Sequence, residues 1–273
     1  FIFDEQRVSG SGVWEKTFLD ITRKNKWILL SATPGDKWIN YIPVFVANGF
    51  YKNKTDFMRR HCVLNPYTSY PKIDRIVDVP TLVRHRDDIL IPMKFERDTE
   101  ALRIRVTCNY DKELYRTIWK YRKNPYDNDN PIEDTGTLFY ALRRAVNEDP
   151  SRIEKVAKIF ERHPRIIIFY NFSCELDALR KLFTDMDVTV GEWNGQVHTD
   201  IPKCKRWVYL VQYSGAEGWN CITVDTVVFF SQNYSYSITK QAEGRIDRLN
   251  TKYKKLYYYY LRSDAPIDQA IYL

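Results

Sequence analysis

No Cys-x-x-Cys pair occurs in the sequence, and its five cysteines, Cys62, Cys108, Cys174, Cys204 and Cys221, are odd in number and widely scattered. With no histidine cluster beside them, they support neither a zinc site nor a disulfide framework. Long apolar runs are missing too. Runs such as Trp27–Ala32 and Ile166–Tyr170 fall far short of the ~20 residues a membrane helix requires. Asp4, Glu5 and Arg7 stand where a signal peptide needs its apolar core. These absences point to a chain of the reducing cytoplasm that meets no membrane. Glycine and proline together make up only 22 of 273 residues, which excludes collagen-like and low-complexity chains.

Positive charge and flat rings are plentiful instead. Lysine and arginine number 42 against 35 aspartates and glutamates, a formal charge of +7. That balance suits an anionic partner, or simply a solvated basic surface. Twenty tyrosines and seven tryptophans raise the aromatic share to 15%. Cations mixed with rings fit single-stranded nucleic acid, whose bases stack and whose phosphates meet Arg and Lys.

Short, solidly apolar runs mark two regions as buried parallel strands. Phe1–Phe3 and Trp27–Leu30 form the first set; Ile166–Tyr170, Trp207–Val211, Val227–Phe230 and Leu256–Leu261 form the second. Helices are predicted between them, one opened by a Ser151/Glu154 capping box and running through Phe160. Another spans Ser173–Phe183 with Leu176, Leu179 and Phe183 on one stripe. The alternation is that of an α/β chain. Residues 48–150 are punctuated by Pro66, Pro71, Pro80, Pro92, Pro125 and Pro131, with helical stretches at Asp111–Arg122 and Gly136–Asn147 and a loop at Asn124–Pro131. The expected domains are therefore 1–47, a partly helical linker or insertion over 48–150, and 151–273.

Polar residues recur where these strands end, the place where ligands gather in open parallel sheets. Asp4-Glu5 follows the first strand. Such a pair can hold Mg²⁺ through water and polarise an attacking water, or cap a turn. Ser31-Ala32-Thr33-Pro34 follows the second, where Ser31 and Thr33 can bridge neighbouring loops or form an ordinary polar turn. Asn171 ends the Ile166 strand. Ser214-Gly215-Ala216-Glu217-Gly218-Trp219-Asn220 ends the Trp207 strand as a small-residue loop able to approach a phosphate, or as a plain turn. Gln241, Arg245 and Arg248 stand at i, i+4 and i+7 of a predicted helix, opposite the apolar stripe Ile238, Ala242, Ile246 and Leu249. Two guanidiniums on one face make a phosphate clamp or a solvated basic face. Gly244 inside that helix, at a cost of about 1 kcal/mol against Ala, implies close backbone approach.

In this order the motifs Asp-Glu, Ser-Ala-Thr-Pro, Gly-x-Glu-Gly-x-Asn and Gln-Ala-x-Gly-Arg-x-x-Arg resemble those of superfamily 2 helicases and translocases. The likeness leans to the Swi/Snf-like branch and to DEAD/DEAH-type proteins of bacteriophages, although Gln6-Arg7 departs from the DEAD and DEAH boxes. The resemblance implies two RecA-like parallel-sheet lobes, the first incomplete, that hydrolyse ATP at their interface to move on nucleic acid. By motif, Asp4 would hold Mg²⁺ and Glu5 the hydrolytic water. Ser31 and Thr33 would couple hydrolysis to movement, and Arg245 and Arg248, supported by Gln241, would reach the γ-phosphate. Asn171, Phe172, Ser214, Gly215, Gly218, Trp219 and Asn220 would lie along the nucleic acid. DNA, single- or double-stranded, is the implied partner ahead of RNA, with replication or recombination proteins beyond it; a phage-encoded chain would work in the host cytoplasm. No Gly-x-x-x-x-Gly-Lys-Ser/Thr loop is present, so the chain is expected to be an excerpt that hydrolyses little alone. The competing function is a nucleic-acid-binding or scaffold module that never hydrolyses ATP. A nuclease subunit's motor domain is a third possibility, with no nuclease carboxylate cluster in its favour.

The remaining features read more plainly. Tyr257–Tyr260 is expected to pave a strand with rings alternating between core and solvent. Lys112–Lys123, with Tyr115, Trp119 and Tyr121, is either a packed amphipathic helix or a base-stacking one. His61, His85, His163 and His198 form no catalytic or metal constellation.

Overall fold

The apolar runs that the sequence concentrates after residue 160 become the middle of a single sheet. The computed structural model describes all residues except 5–11, 32–34, 36, 69, 71, 94–97, 216–218 and 272–273. It divides the chain into two compact units, Phe1–Glu96 and Arg97–Leu273. The boundary therefore falls inside the expected 48–150 segment, whose two parts belong to different units.

In the first unit, β1 (Ile2–Asp4) and β2 (Ile28–Leu30) pair in parallel, connected through α1 (Val13–Lys24). Phe18 of α1 is buried and meets Phe3 and Trp27 edge-on, with ring centres 5.1 and 5.2 Å apart. Helices α2 (Ile42–Ala47), α3 (Lys54–His61) and α4 (Val79–Ile89) bury Ile42, Phe45, Tyr51, Phe57 and Leu82 together. A hairpin of β3 (Cys62–Asn65) and β4 (Lys72–Ile76) accompanies them. His61 and His85 both flank Tyr51 in this aromatic cluster.

The second unit is built on a six-stranded sheet in the order β5–β12–β11–β8–β10–β9, parallel throughout. The strands are β5 (Glu100–Thr107), β8 (Arg165–Tyr170), β9 (Thr189–Trp193), β10 (Trp207–Gln212), β11 (Thr226–Phe229) and β12 (Lys255–Arg262). Between β5 and β8 run α5 (Lys112–Tyr121), a two-residue hairpin of β6 (Lys123–Asn124) and β7 (Asn130–Pro131), α6 (Thr135–Asn147) and α7 (Pro150–Arg162). Helices α8 (Ser173–Asp185), α9 (Tyr236–Glu243) and α10 (Pro266–Ala270) follow in turn.

Both sheet faces are covered, which is why the strands read as unbroken apolar runs. One face joins Ile166, Ile168, Val208, Leu210 and Val228 to Val156 and Phe160 of α7 and Leu179 and Phe183 of α8. The opposite face joins Ile167, Phe169, Tyr209, Val227 and Phe229 to Trp219, Ala242 and Ile246. Tyr257 and Tyr259 pack with the first cluster, Tyr258 and Tyr260 with the second. The tyrosine run thus alternates between two cores, correcting the expected solvent face. Helix α7 is capped by Asp149, which accepts from Ser151 N at 2.9 Å, while Ser151 Oγ accepts from Asn109 N at 2.9 Å. Asp149 therefore has the capping role expected of Ser151. No helix among the described residues is long and apolar enough to cross a membrane.

Candidate functional site

Strand β8 is the switch point of the larger sheet. From it the chain leads to β9 and β10 on one side, then passes to β11 and β12 on the other. Crevices beyond the carboxyl ends of strands at such points are where open α/β sheets take ligands.

Asn171, immediately after β8, is held there from all sides. Its Nδ2 donates to Ser231 Oγ (2.7 Å) and to Gln232 O (3.0 Å), and its Oδ1 accepts from Asn233 Nδ2 (3.1 Å). Its carbonyl accepts from Gln212 Nε2 at the end of β10 (3.3 Å). Its backbone N–H donates to Glu175 Oε2 (2.8 Å), which also accepts from Ser231 Oγ (2.8 Å), while Asn147 Nδ2 donates to Glu175 Oε1 (2.8 Å). Burial pushes the Glu175 carboxyl up, against the Asn171 and Ser231 donors and the Arg143 and Arg152 charges that pull it down. The donors of the Asn171 side chain are thus engaged within the protein.

The neighbours are aromatic and cationic. The Arg143 guanidinium, from α6, lies 4.7 Å from the Phe172 ring centre and 5.0 Å from that of Tyr234, and donates through Nη2 to Gln232 O. Tyr140 meets Phe172 edge-on at 5.0 Å. Behind them Arg152, fully buried, donates to Val146 O (3.2 Å), Phe230 O (2.6 Å), Leu261 O (3.2 Å) and Asp268 Oδ2 (2.7 Å). That charge fastens α7 to α6, to the residue that follows β11, to β12 and to α10. The sequence reading missed Arg143, Glu175, Ser231, Gln232 and Asn233. Ser231-Gln232-Asn233 follows the Val227–Phe230 run, so the rule applied to four other strand ends would have found it.

A second cluster forms where the loop after β10 meets the chain after α9. The predicted Gln241–Arg248 helix stops at Glu243, with Gly244 as its C-cap. The stripe of three is therefore broken: Gln241 lies in the helix, Arg245 and Arg248 beyond it. The chain turns so that Ile246 enters the core and Arg245 is buried. Arg245 Nη1 donates to Trp219 O, and Cys221 N donates to Arg245 O, both at 2.9 Å. Trp219 is itself buried, stacked on Phe169 at 6.2 Å, and its indole N–H donates to Gly215 O (2.9 Å). Its ring is thus core and not a platform for a base, whereas Ser214 and Asn220 are exposed. Gly215 is needed for space, since a Cβ there would lie 2.6 Å from Trp193 Cδ1. Gly244 is not: a Cβ there would meet only Gln241 O at 3.4 Å and Lys240 O at 3.5 Å. Arg248 is half-buried, and its Nε is buried without a hydrogen-bond partner among the described residues.

Glu243 carries this turn. Arg103 of β5 grips its carboxylate with Nε (3.1 Å) and Nη2 (2.8 Å), Lys240 Nζ adds a third donor (2.9 Å), and Tyr260 OH donates as well. Burial opposes the charge, yet the donors from Arg103, Tyr260 and Lys240 outweigh it and hold the carboxyl below its ordinary value.

In the first unit Asp4 closes β1 opposite Leu30, and Ser31 follows directly, so both stand at the carboxyl end of one parallel pair. Glu5, Thr33 and Gly218 lie outside the described residues, as does the side chain of Asp4. No group of three or more His, Cys, Asp or Glu suited to a metal occurs among the described residues.

No protein-family model and no curated protein matches the chain. Among solved structures, it is similar to the crystal structure of the C-terminal part of the Fun30 ATPase domain. The TM-score is 0.51 and the identity 14%, over 64% of this chain and 88% of that one. The likeness shows the fold: an α/β, RecA-like lobe with helices flanking a parallel sheet. The narrower bacteriophage and DEAD/DEAH affiliations gain nothing from it.

Proposed function

We propose that the chain is part of an ATP-dependent translocase of the superfamily 2 kind, acting on DNA. Three things support this: the order of the motifs, the RecA-like fold, and the similarity to a protein described as an ATPase domain. The observation that carries it is the 2.9 Å bond from Arg245 to Trp219 O, which joins two motifs that the sequence keeps apart. On this reading Arg245 braces Trp219, and Arg248, whose buried Nε has no acceptor among the described residues, meets the phosphate. A buried N–H without a partner is satisfied by an anion's oxygen. Asp4 suits Mg²⁺ held through water, which would neutralise phosphate charge when bound. Glu5 would orient the attacking water, and Ser31 and Thr33 would couple turnover to movement.

ATP hydrolysis by the full-length protein, measured with and without single- and double-stranded DNA, tests this. DNA-stimulated turnover that Arg248→Ala lowers by about 10³–10⁵ is the expected result. Turnover indifferent to Arg248→Ala, or absent under every condition, would overturn it and leave a non-hydrolysing nucleic-acid-binding module.

A further inference from the structure

We propose that the outer face of α5 is a binding surface for single-stranded nucleic acid. Helix α5 buries Tyr115 and Ile118 against α6 and α10. Lys112, Arg116 and Lys120 remain exposed on the other side at successive spacings of four, with Trp119 exposed three residues after Arg116. Residues at these offsets share a face, and four residues rise about 6 Å along a helix. The Trp119 side of α5 therefore offers cations one turn apart with a ring between them.

Packing does not account for that ring. Trp119 is 52% exposed, and the Arg122 guanidinium sits over it at 5.2 Å. Exposed indole faces backed by arginine are the arrangement on which bases stack. Helix stability does not account for the cations either. Lys112 is the first residue of α5, where positive charge opposes the helix dipole. Among the described residues one carboxylate pairs with this face, that of Asp264, 3.5 Å from Lys112 and exposed, while the Asp111 carboxylate caps the helix through the backbone N–H groups of Glu113 and Leu114. Arg116 and Lys120 form no ion pair with any described carboxylate. Flat rings interleaved with cations favour nucleic acid over an acidic peptide, which needs charge alone.

This surface rests on α5 and not on hydrolysis, so its test reads binding only. The 273-residue chain is titrated against a fluorescein-labelled oligothymidylate by anisotropy, over a range of salt. Trp119→Ala is expected to weaken binding about 5- to 150-fold with the salt slope unchanged, since one stacked base is lost. Arg116→Gln/Lys120→Gln is expected to lower the salt slope by about 1.4, two phosphate contacts at ~0.7 each. Circular dichroism and melting curves matching the unsubstituted chain establish that the variants are folded. The proposal is overturned if the chain does not bind the oligonucleotide, or if both variants bind it as the parent does. It also fails if polyglutamate is bound equally well and Trp119→Ala changes nothing, the result for a general polyelectrolyte surface. Loss of ATPase activity in the full-length protein would count against the motor function and leave this binding untouched.

Discussion

Arg245 and Trp219 are tied by a 2.9 Å bond from guanidinium to carbonyl, and the chain returns the favour when Cys221 N donates to Arg245 O at the same distance. An arginine in a motif that suggests contact with a triphosphate is thus a brace within its own lobe. It holds Trp219 and Cys221 against the turn that ends α9.

Truncating that brace leaves a buried carbonyl without its donor. Arg245→Ala should destabilise the chain by about 1–3 kcal/mol, read as a lowered urea midpoint with an unchanged slope. Amide exchange at Cys221 should accelerate beyond that of β8. Equal exchange at the two places would mean that the brace does not act locally.

The two glycines beside this turn should behave in opposite ways. Gly215→Ala forces a Cβ to within 2.6 Å of Trp193 Cδ1, in a ring stacked on His198 at 4.2 Å that must shift to admit it. Overpacking of this kind costs about 1–3 kcal/mol. Gly244→Ala meets ordinary contacts at a helical φ of −66° and should be neutral or gain about 0.4–1 kcal/mol through the unfolded chain. Thermal melts of the pair decide this, and equal losses would contradict the geometry.

Glu243 makes stability depend on acidity in a definite direction. Its carboxyl is held below the ordinary 4.5 in the folded chain, so the unfolded chain binds the proton more readily. The stabilisation is present above that ordinary value and is lost as the pH falls through the lower, folded one. Glu243→Gln should flatten the unfolding free energy across that acidic window relative to the unsubstituted chain. A wild-type profile and a variant profile of the same shape would remove Glu243 from the account.

Legibility followed burial on two faces. Ile166–Tyr170, Trp207–Val211, Val227–Phe230 and Leu256–Leu261 could be read as strands because neither face meets water, and unbroken apolar runs have no other simple reading. Strand β5 escaped for the opposite reason. It lies at the sheet edge, and its Leu102-Arg103-Ile104-Arg105-Val106 alternates, a pattern of period two that the prolines around it obscured. The α9 boundary escaped because the Gln241–Arg248 spacing fits a helix perfectly well by itself. Only the tertiary bonds of Arg245 and Glu243, to partners far along the chain, explain why the helix ends early. Asn171 was legible as a residue at a strand end, but its saturation by Ser231, Gln232 and Asn233 was not, since hydrogen-bond partners leave no periodic trace.

The pairing of β5 with β12 joins residues 100–107 to residues 255–262 in register. On a ribosome the first of these emerges long before the second, so one edge of β5 waits with bare amides and carbonyls while the rest of the lobe is made. Contacts so distant in sequence slow folding, and an unpaired edge invites the wrong neighbour. Completion of this lobe is therefore a late event in its biosynthesis, and nascent chains stalled before Lys255 should be natural clients for chaperones.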